Sequence, residues 1–170
     1  GVHNVKNAIA AAAAAIALDI PGKAVEDGMR DFRLPGRRFE YKGMYNGAEL
    51  CDDYAHHPGE LASLFDTAAA LGHKRVVCAF QPHTYTRTHE LFGDFVEVLK
   101  RPDVTILAEI FAAREDNDIG ISSADLAAKI PGSVYCPTLA DVTEKLREIA
   151  QPGDLLLTVG AGDIYLAGEA

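Results

Sequence analysis

Several function classes are excluded by what the sequence has little of. Its three cysteines, Cys51, Cys78 and Cys136, are odd in number, widely spaced and flanked by apolar residues. That pattern argues for free buried thiols in a reducing cytoplasm and against a disulfide frame. No CxxC pair exists to suggest zinc or thiol redox chemistry. Long apolar runs are also missing. The nearest approach, Ala8 to Leu18, is short, dominated by alanine and without the basic flank of a signal peptide, so it reads as a packed helix. Basic residues are scarce: 16 Lys and Arg stand against 25 Asp and Glu, a net charge of −9. With those cations scattered, nucleic acid and anionic membranes are poor partners, although a compact anion needs only a few cations that converge. A phosphate-binding GxxxxGKS or GxxxxGKT loop is absent as well, so these residues do not cradle a nucleoside triphosphate in the usual way by themselves.

What is present is an ordinary globular composition, 48% hydrophobic and 24% charged over 170 residues. A chain of this size buries about 70% of its unfolded surface, enough for a real core. Asn4 is placed to cap a helix from about Val5 to Leu18, which Pro21-Gly22 ends before a second amphipathic helix, Lys23 to Phe32. Leu34-Pro35-Gly36 reads as a linker. Beyond it the period changes to two: Arg38 to Met44 and Ala48 to Asp53 flank Tyr45-Asn46-Gly47, a hairpin signal. Strands and helices then alternate. The expected helices are Pro58 to Leu71, Arg87 to Leu99, Ser122 to Lys129 and Leu139 to Ala150. The expected strands are Arg75 to Phe80, Asp103 to Glu109, Val134 to Cys136 and Asp154 to Val159. Near-continuous apolar strands separated by helices indicate a mostly parallel sheet covered on both faces. The expectation is an α/β, Rossmann-like domain over residues 35–170, opening with an antiparallel hairpin and preceded by a short helical segment, residues 1–34, from a neighbouring domain.

Ligands of such sheets sit at the carboxyl ends of the strands, and these ends are unusually polar. One is Asp52-Asp53-Tyr54-Ala55-His56-His57-Pro58. Three readings of it compete. Asp52, Asp53, His56 and His57 could form a metal site, though adjacent histidines diverge and no spaced third ligand follows. Asp53 could cap the next helix while the histidines satisfy loop carbonyls. Alternatively Asp53 accepts hydrogen bonds from ligand hydroxyls such as a ribose diol, and a histidine moves a proton. A second edge, Gln81-Pro82-His83-Thr84-Tyr85-Thr86-Arg87, brings a guanidinium to a helix start, where it suits a carboxylate or phosphate unless it merely pairs with Glu90. Arg114-Glu115 reads equally as a surface ion pair, and Gly160-Ala161-Gly162-Asp163 is a weak signal of close backbone approach.

Taken in order, Gly1-Val2-His3-Asn4-Val5-Lys6-Asn7-Ala8, Arg37-Arg38-Phe39-Glu40, Asp52 to Pro58, Phe80-Gln81-Pro82-His83 through Thr88, and Gly160 to Ile164 resemble the C-terminal portion of the Mur ligases. The resemblance runs over nearly the whole chain and is nearest the alanine-adding members, ahead of the murein tripeptide recycling ligase and the other relatives. It implies a cytoplasmic enzyme of peptidoglycan precursor synthesis that joins L-alanine to UDP-N-acetylmuramate through an acyl phosphate, using ATP and Mg2+ bound mainly by a central domain. This chain would be the tail of that domain plus the closing C-terminal domain, inactive alone. His3, Asn4 and Asn7 are implied as nucleotide contacts, with Arg38 toward the phosphates and Asp53 toward the ribose. Tyr54, His56, His83 and Arg87 are implied around the amino acid, His56 being the candidate general base. Many members carry a second Arg after the His of Gln-Pro-His, where this chain has Thr84, so Arg87 is the guanidinium expected there. A non-catalytic nucleotide-binding module is the alternative from another class.

Overall fold

The computed structural model describes residues 2–33 and 35–170, and of residues 2 and 3 the backbone alone. Two compact units emerge, Gly1–Gly36 and Arg37–Ala170. Leu34, in the expected linker, lies outside the described residues.

The first unit is a helical pair, α1 (Val2–Ala17) and α2 (Gly22–Asp31). Because α1 already runs from Val2, Asn4 sits inside its first turn and does not cap it. Lys23 and Asp27, one turn apart on α2, pair at 2.7 Å, which supports an isolated helix by only about 0.2–0.5 kcal/mol. None of the described side chains here is buried. Val5, Ile9 and Ile16 stand exposed on α1.

The second unit is the expected α/β domain. Its strands are β1 (Glu40–Tyr45), β2 (Ala48–Asp53), β3 (Arg75–Phe80), β4 (Val104–Ala108), β5 (Val134–Cys136) and β6 (Asp154–Val159), in sheet order β1-β2-β6-β3-β4-β5. β1 and β2 pair antiparallel from Glu40↔Asp52 to Tyr45↔Ala48, and every other pairing is parallel. Asn46 and Gly47 both take positive φ, 49° and 76°, the primed turn whose twist matches a tight hairpin. β6 is central and buried along its whole length, which is why it reads as a continuous apolar run.

Alternation along the strands divides the core. Cys78, Phe80, Leu107, Leu155 and Leu157 face α3 (Pro58–Ala70), α5 (Phe92–Val98) and α6 (Ser123–Ala127); Val77, Ala79, Ile106 and Leu156 face α7 (Leu139–Ile149) and the short α8 (Tyr165–Glu169). Each fully buried Leu or Phe contributes about 1.5–3 kcal/mol and an exposed ion pair about 0–1, so the two apolar layers hold the sheet together. At its lower end Arg75 and Asp154 add a two-point pair at 3.2 and 2.6 Å.

Two expected elements differ, and one helix is additional. The helix expected from Arg87 to Leu99 is two, α4 (Tyr85–Glu90) and α5, broken at Leu91 (φ −107°); α4 stays with the loop after β3 while Phe95 of α5 packs 5.6 Å from Phe80. β1 begins at Glu40, two residues later than expected, because Arg37 and Phe39 adopt left-handed backbone, φ 61° and 50°. The five-residue α8 is too short to show a helical period. The three cysteines are buried free thiols, as expected. Burial and the nearby Glu49 push the Cys51 thiol up to about 12, which leaves it unreactive at neutral pH. Among the described residues no helix is long and apolar enough to cross a membrane.

Candidate active site

Four strained non-glycine residues lie at the carboxyl edge of the sheet: Arg37, Phe39, Thr84 and Ala113, with φ of 61°, 50°, 73° and 55°. Conformations of this kind persist only where surrounding bonds over-determine them. Here those bonds are visible. The Arg37 amide donates to Glu40 at 2.7 Å, the Phe39 amide to Asp53 at 2.8 Å, and the Tyr54 amide to the Arg37 carbonyl at 2.8 Å. The Arg-Arg-Phe-Glu and Asp-Asp-Tyr motifs are therefore one knot.

Arg37 is its centre. Its Nε donates to Asp52 at 2.7 Å, Nη1 to the Gly162 carbonyl at 3.0 Å and Nη2 to the Gly160 carbonyl at 2.6 Å. The guanidinium lies between the Tyr54 and Tyr165 rings, 5.1 and 4.6 Å from their centroids. Arg38, the residue singled out by resemblance, is exposed and makes no hydrogen bond or ion pair among the described residues. It passes 5.6 Å from the centroid of Tyr54. One arginine of the pair is used structurally and the other is available.

Asp53 is buried, and its two oxygens accept from the Phe39 and Ala55 amides, both at 2.8 Å. Burial raises its carboxyl above the ordinary aspartate value, with those two amides pulling the other way. It does not cap α3; His57 does, its Nδ1 accepting from the Gly59 amide at 3.3 Å. Asp52 is committed to Arg37 and, at 2.8 Å, to the Thr158 hydroxyl. The four side chains weighed for a metal site thus have separate partners, and among the described residues no group of three His, Cys, Asp or Glu could hold an ion. A magnesium ion does not fit among these side chains.

Tyr54 and His56 from the loop after β2 come together with His83 from the loop after β3 and Arg87 from α4. Tyr54 and His56 meet edge to face at 5.5 Å, and the His56 and His83 rings are 6.0 Å apart. His56 Nδ1 lies 3.0 Å from the Tyr54 carbonyl and 3.4 Å from Glu60. Arg87 Nη1 reaches His83 Nδ1 at 3.3 Å and the His83 carbonyl at 3.1 Å. Its partner is therefore His83, and no bond to Glu90 occurs among the described residues. Burial, the Arg87 charge and His56 hold the His83 imidazole below its ordinary value, with Glu115 opposing.

Two residues after β4 contribute in ways their sequence does not announce. Phe111 stacks under His83 at 5.5 Å, and the chain beside it pairs with the His83 loop: Thr84 donates to the Phe111 carbonyl and Phe111 to that of Pro82, both at 2.9 Å. Among the described residues Glu115 makes no pair with Arg114; it accepts from the Thr86 amide at 2.9 Å and from the Thr86 hydroxyl, which holds its carboxyl below the usual range. The start of α4 is occupied by this carboxylate, so it is no free anion site. Only tertiary contact reveals either. Gly160 and Gly162 also have a packing reason: a Cβ would stand 2.6 Å from the Gln81 carbonyl oxygen at Gly160 and 2.4 Å from Gln81 Oε1 at Gly162. Beyond Phe111 a cleft of about 200 Å³ continues between Glu109, Thr138 and Asp163. In the first unit, Asn4 and Asn7 lie one turn apart on α1, half-buried and exposed. The side chain of His3 lies outside the described residues.

Comparison with known proteins agrees with this architecture. The Mur ligase, glutamate ligase domain family matches residues 37–162. UDP-N-acetylmuramate–L-alanine ligases of Lachnospira eligens and Clostridium novyi are 46% and 42% identical over 99% of this chain, which spans 38% of their length. The crystal structure of UDP-N-acetylmuramate-alanine ligase from Thermotoga maritima superposes with a TM-score of 0.76 at 26% identity, over 99% of this chain and 36% of that one. The chain belongs to the Mur ligase family, with residues 37–162 matching its glutamate ligase domain.

Proposed function

We propose that residues 35–170 are the closing C-terminal domain, and residues 1–34 the tail of the central ATP-binding domain, of a cytoplasmic ligase that joins L-alanine to UDP-N-acetylmuramate. Supporting this are the names of the relatives and, above all, the convergence of Tyr54, His56, His83 and Arg87 at one sheet edge. ATP, when bound, supplies the phosphoryl group that activates the muramyl carboxylate as an acyl phosphate. Such a species hydrolyses readily, so a domain that closes over it, positions the amine and excludes water makes amide formation competitive. Magnesium would be held by the part of the protein outside this chain.

Arg87 has spent Nη1 on His83, which leaves its Nε and Nη2 edge as a planar fork for the carboxylate of alanine. Arg38, without a hydrogen-bond or ion-pair partner among the described residues, would meet the nucleotide phosphates. Asp53 would use its remaining lone pairs on the ribose hydroxyls, and His3, Asn4 and Asn7 would contact the base. The exposed apolar residues of α1 would be covered by the rest of the central domain. Lacking that domain, the 170 residues alone would form no amide.

In the complete enzyme, Arg87→Ala should raise KM for alanine about 10- to 100-fold, since a charge-assisted fork contributes about 1.5–3 kcal/mol, while KM for ATP stays within about twofold. Phosphate release assayed across amino acids with UDP-N-acetylmuramate measures both. Equal increases for alanine and ATP would remove Arg87 from the substrate, and release independent of alanine would overturn the assigned reaction.

A further inference from the structure

Two imidazoles stand 6.0 Å apart at this edge, and each has its Nδ1 held by a group that can play only one part in a hydrogen bond. The partner of His56 Nδ1 is the Tyr54 carbonyl at 3.0 Å, with Glu60 at 3.4 Å. Both are acceptors, so His56 Nδ1 carries the proton. The partner of His83 Nδ1 is the Arg87 guanidinium at 3.3 Å. A guanidinium only donates, so His83 Nδ1 is bare. In a neutral ring the proton at one nitrogen excludes it from the other. Neither Nε2 has a hydrogen-bond partner among the described residues.

We propose that His56 and His83 are locked in opposite neutral tautomers, His56 presenting a bare Nε2 that accepts the proton of the attacking amine and His83 presenting an Nε2–H that donates to a substrate oxygen. The proposal rests on the reaction above for its substrate, while the tautomers rest on geometry alone. As the amine nitrogen forms its bond to the acyl carbon, the carbonyl π pair moves onto its oxygen, one N–H bond breaks and the proton passes to His56 Nε2; the pair then returns as the C–O bond to phosphate breaks and inorganic phosphate leaves. The resulting imidazolium keeps its Nδ1–H on the Tyr54 carbonyl, with the Glu60 carboxylate beside it. His83 gains no proton in this step. The groups facing it are Arg87 from α4, His56 from the loop after β2, Glu115 from the loop after β4 and the Phe111 ring; burial and the first two favour the neutral form. A donor that stays neutral polarises a developing anionic oxygen without repelling the nearby Arg87. Arg87 is accordingly the positioning residue for His83 as well as the fork for the carboxylate.

The test is nitrogen NMR of this chain labelled with ¹⁵N-histidine, recorded above the ordinary imidazole pKa of about 6.5. The expected spectrum has His83 protonated at Nε2 and His56 at Nδ1. The same tautomer at both rings would overturn the proposal. Arg87→Met removes the donor and should convert His83 to a tautomeric mixture while leaving His56 unchanged; an unaltered His83 would also overturn it. The wild-type spectrum decides on its own if that variant fails to fold. In the complete ligase, His83→Gln keeps a neutral N–H donor and should retain kcat about tenfold above that of His83→Leu. His56→Gln offers no proton acceptor and should be no better than His56→Leu. Rescue at both positions, or at neither, would refute the division of roles. Because the spectrum needs no assay, failure of the assigned reaction and failure of the tautomer assignment are separate results.

Discussion

Arg37 and Arg38 are adjacent arginines with opposite surroundings. Asp52 is 1% exposed and depends on Arg37 for its charge partner. Arg37→Ala should therefore cost about 3–5 kcal/mol, the penalty for stranding a buried carboxylate. Arg38→Ala should change stability by less than about 0.5 kcal/mol, as an exposed residue without a hydrogen bond or ion pair among the described residues does. Urea unfolding of the two variants measures this, and equal losses would show that the knot at the sheet edge does not depend on Arg37. The motif Arg-Arg-Phe-Glu is visible in the sequence. Which arginine is structural is not, because the choice depends on the left-handed backbone at Arg37 and on two carbonyls more than 120 residues away.

Among the elements, β3 and β6 are joined at their lower ends by Arg75 and Asp154. Burial by itself would raise the Asp154 carboxyl, but the Arg75 guanidinium and the Gln151 amide outweigh it and hold the group below its ordinary value. A carboxyl whose folded pKa is depressed contributes stability that is present above its unfolded pKa, about 3.9, and is lost as pH falls through the folded value. Wild type should therefore exceed Asp154→Asn in stability at pH 7, with the gap closing as pH drops below about 4. Chemical unfolding of both proteins across that range tests it, and a gap independent of pH would contradict the assignment. Most elements were legible because their signals are local: Asn46-Gly47 for the hairpin, Pro21-Gly22 between the two helices of the first unit, and apolar runs for the buried strands. The break at Leu91 and the short α8 were not legible. A helical period continues across the first, and five residues show none in the second.

For the whole molecule, the division at Gly36 and Arg37 has a stability consequence. The second unit carries both apolar layers, and the first buries none of its described side chains. Residues 37–170 expressed alone should unfold cooperatively with a Tm within about 4 °C of the 170-residue chain. Calorimetry of both proteins is the check, and a non-cooperative transition would show that the helical pair is required for the fold. By itself the sequence determined the α/β class, the hairpin, the polar strand ends and the family resemblance, since periodicity, turn chemistry and motifs are written in neighbouring residues. Only the tertiary structure decided that Arg37 rather than Arg38 ties the edge, that Glu115 fills the start of α4, and that each imidazole meets a partner of fixed hydrogen-bonding character. These depend on which groups from distant segments share a few ångströms of low-dielectric space, and spacing along the chain does not encode that.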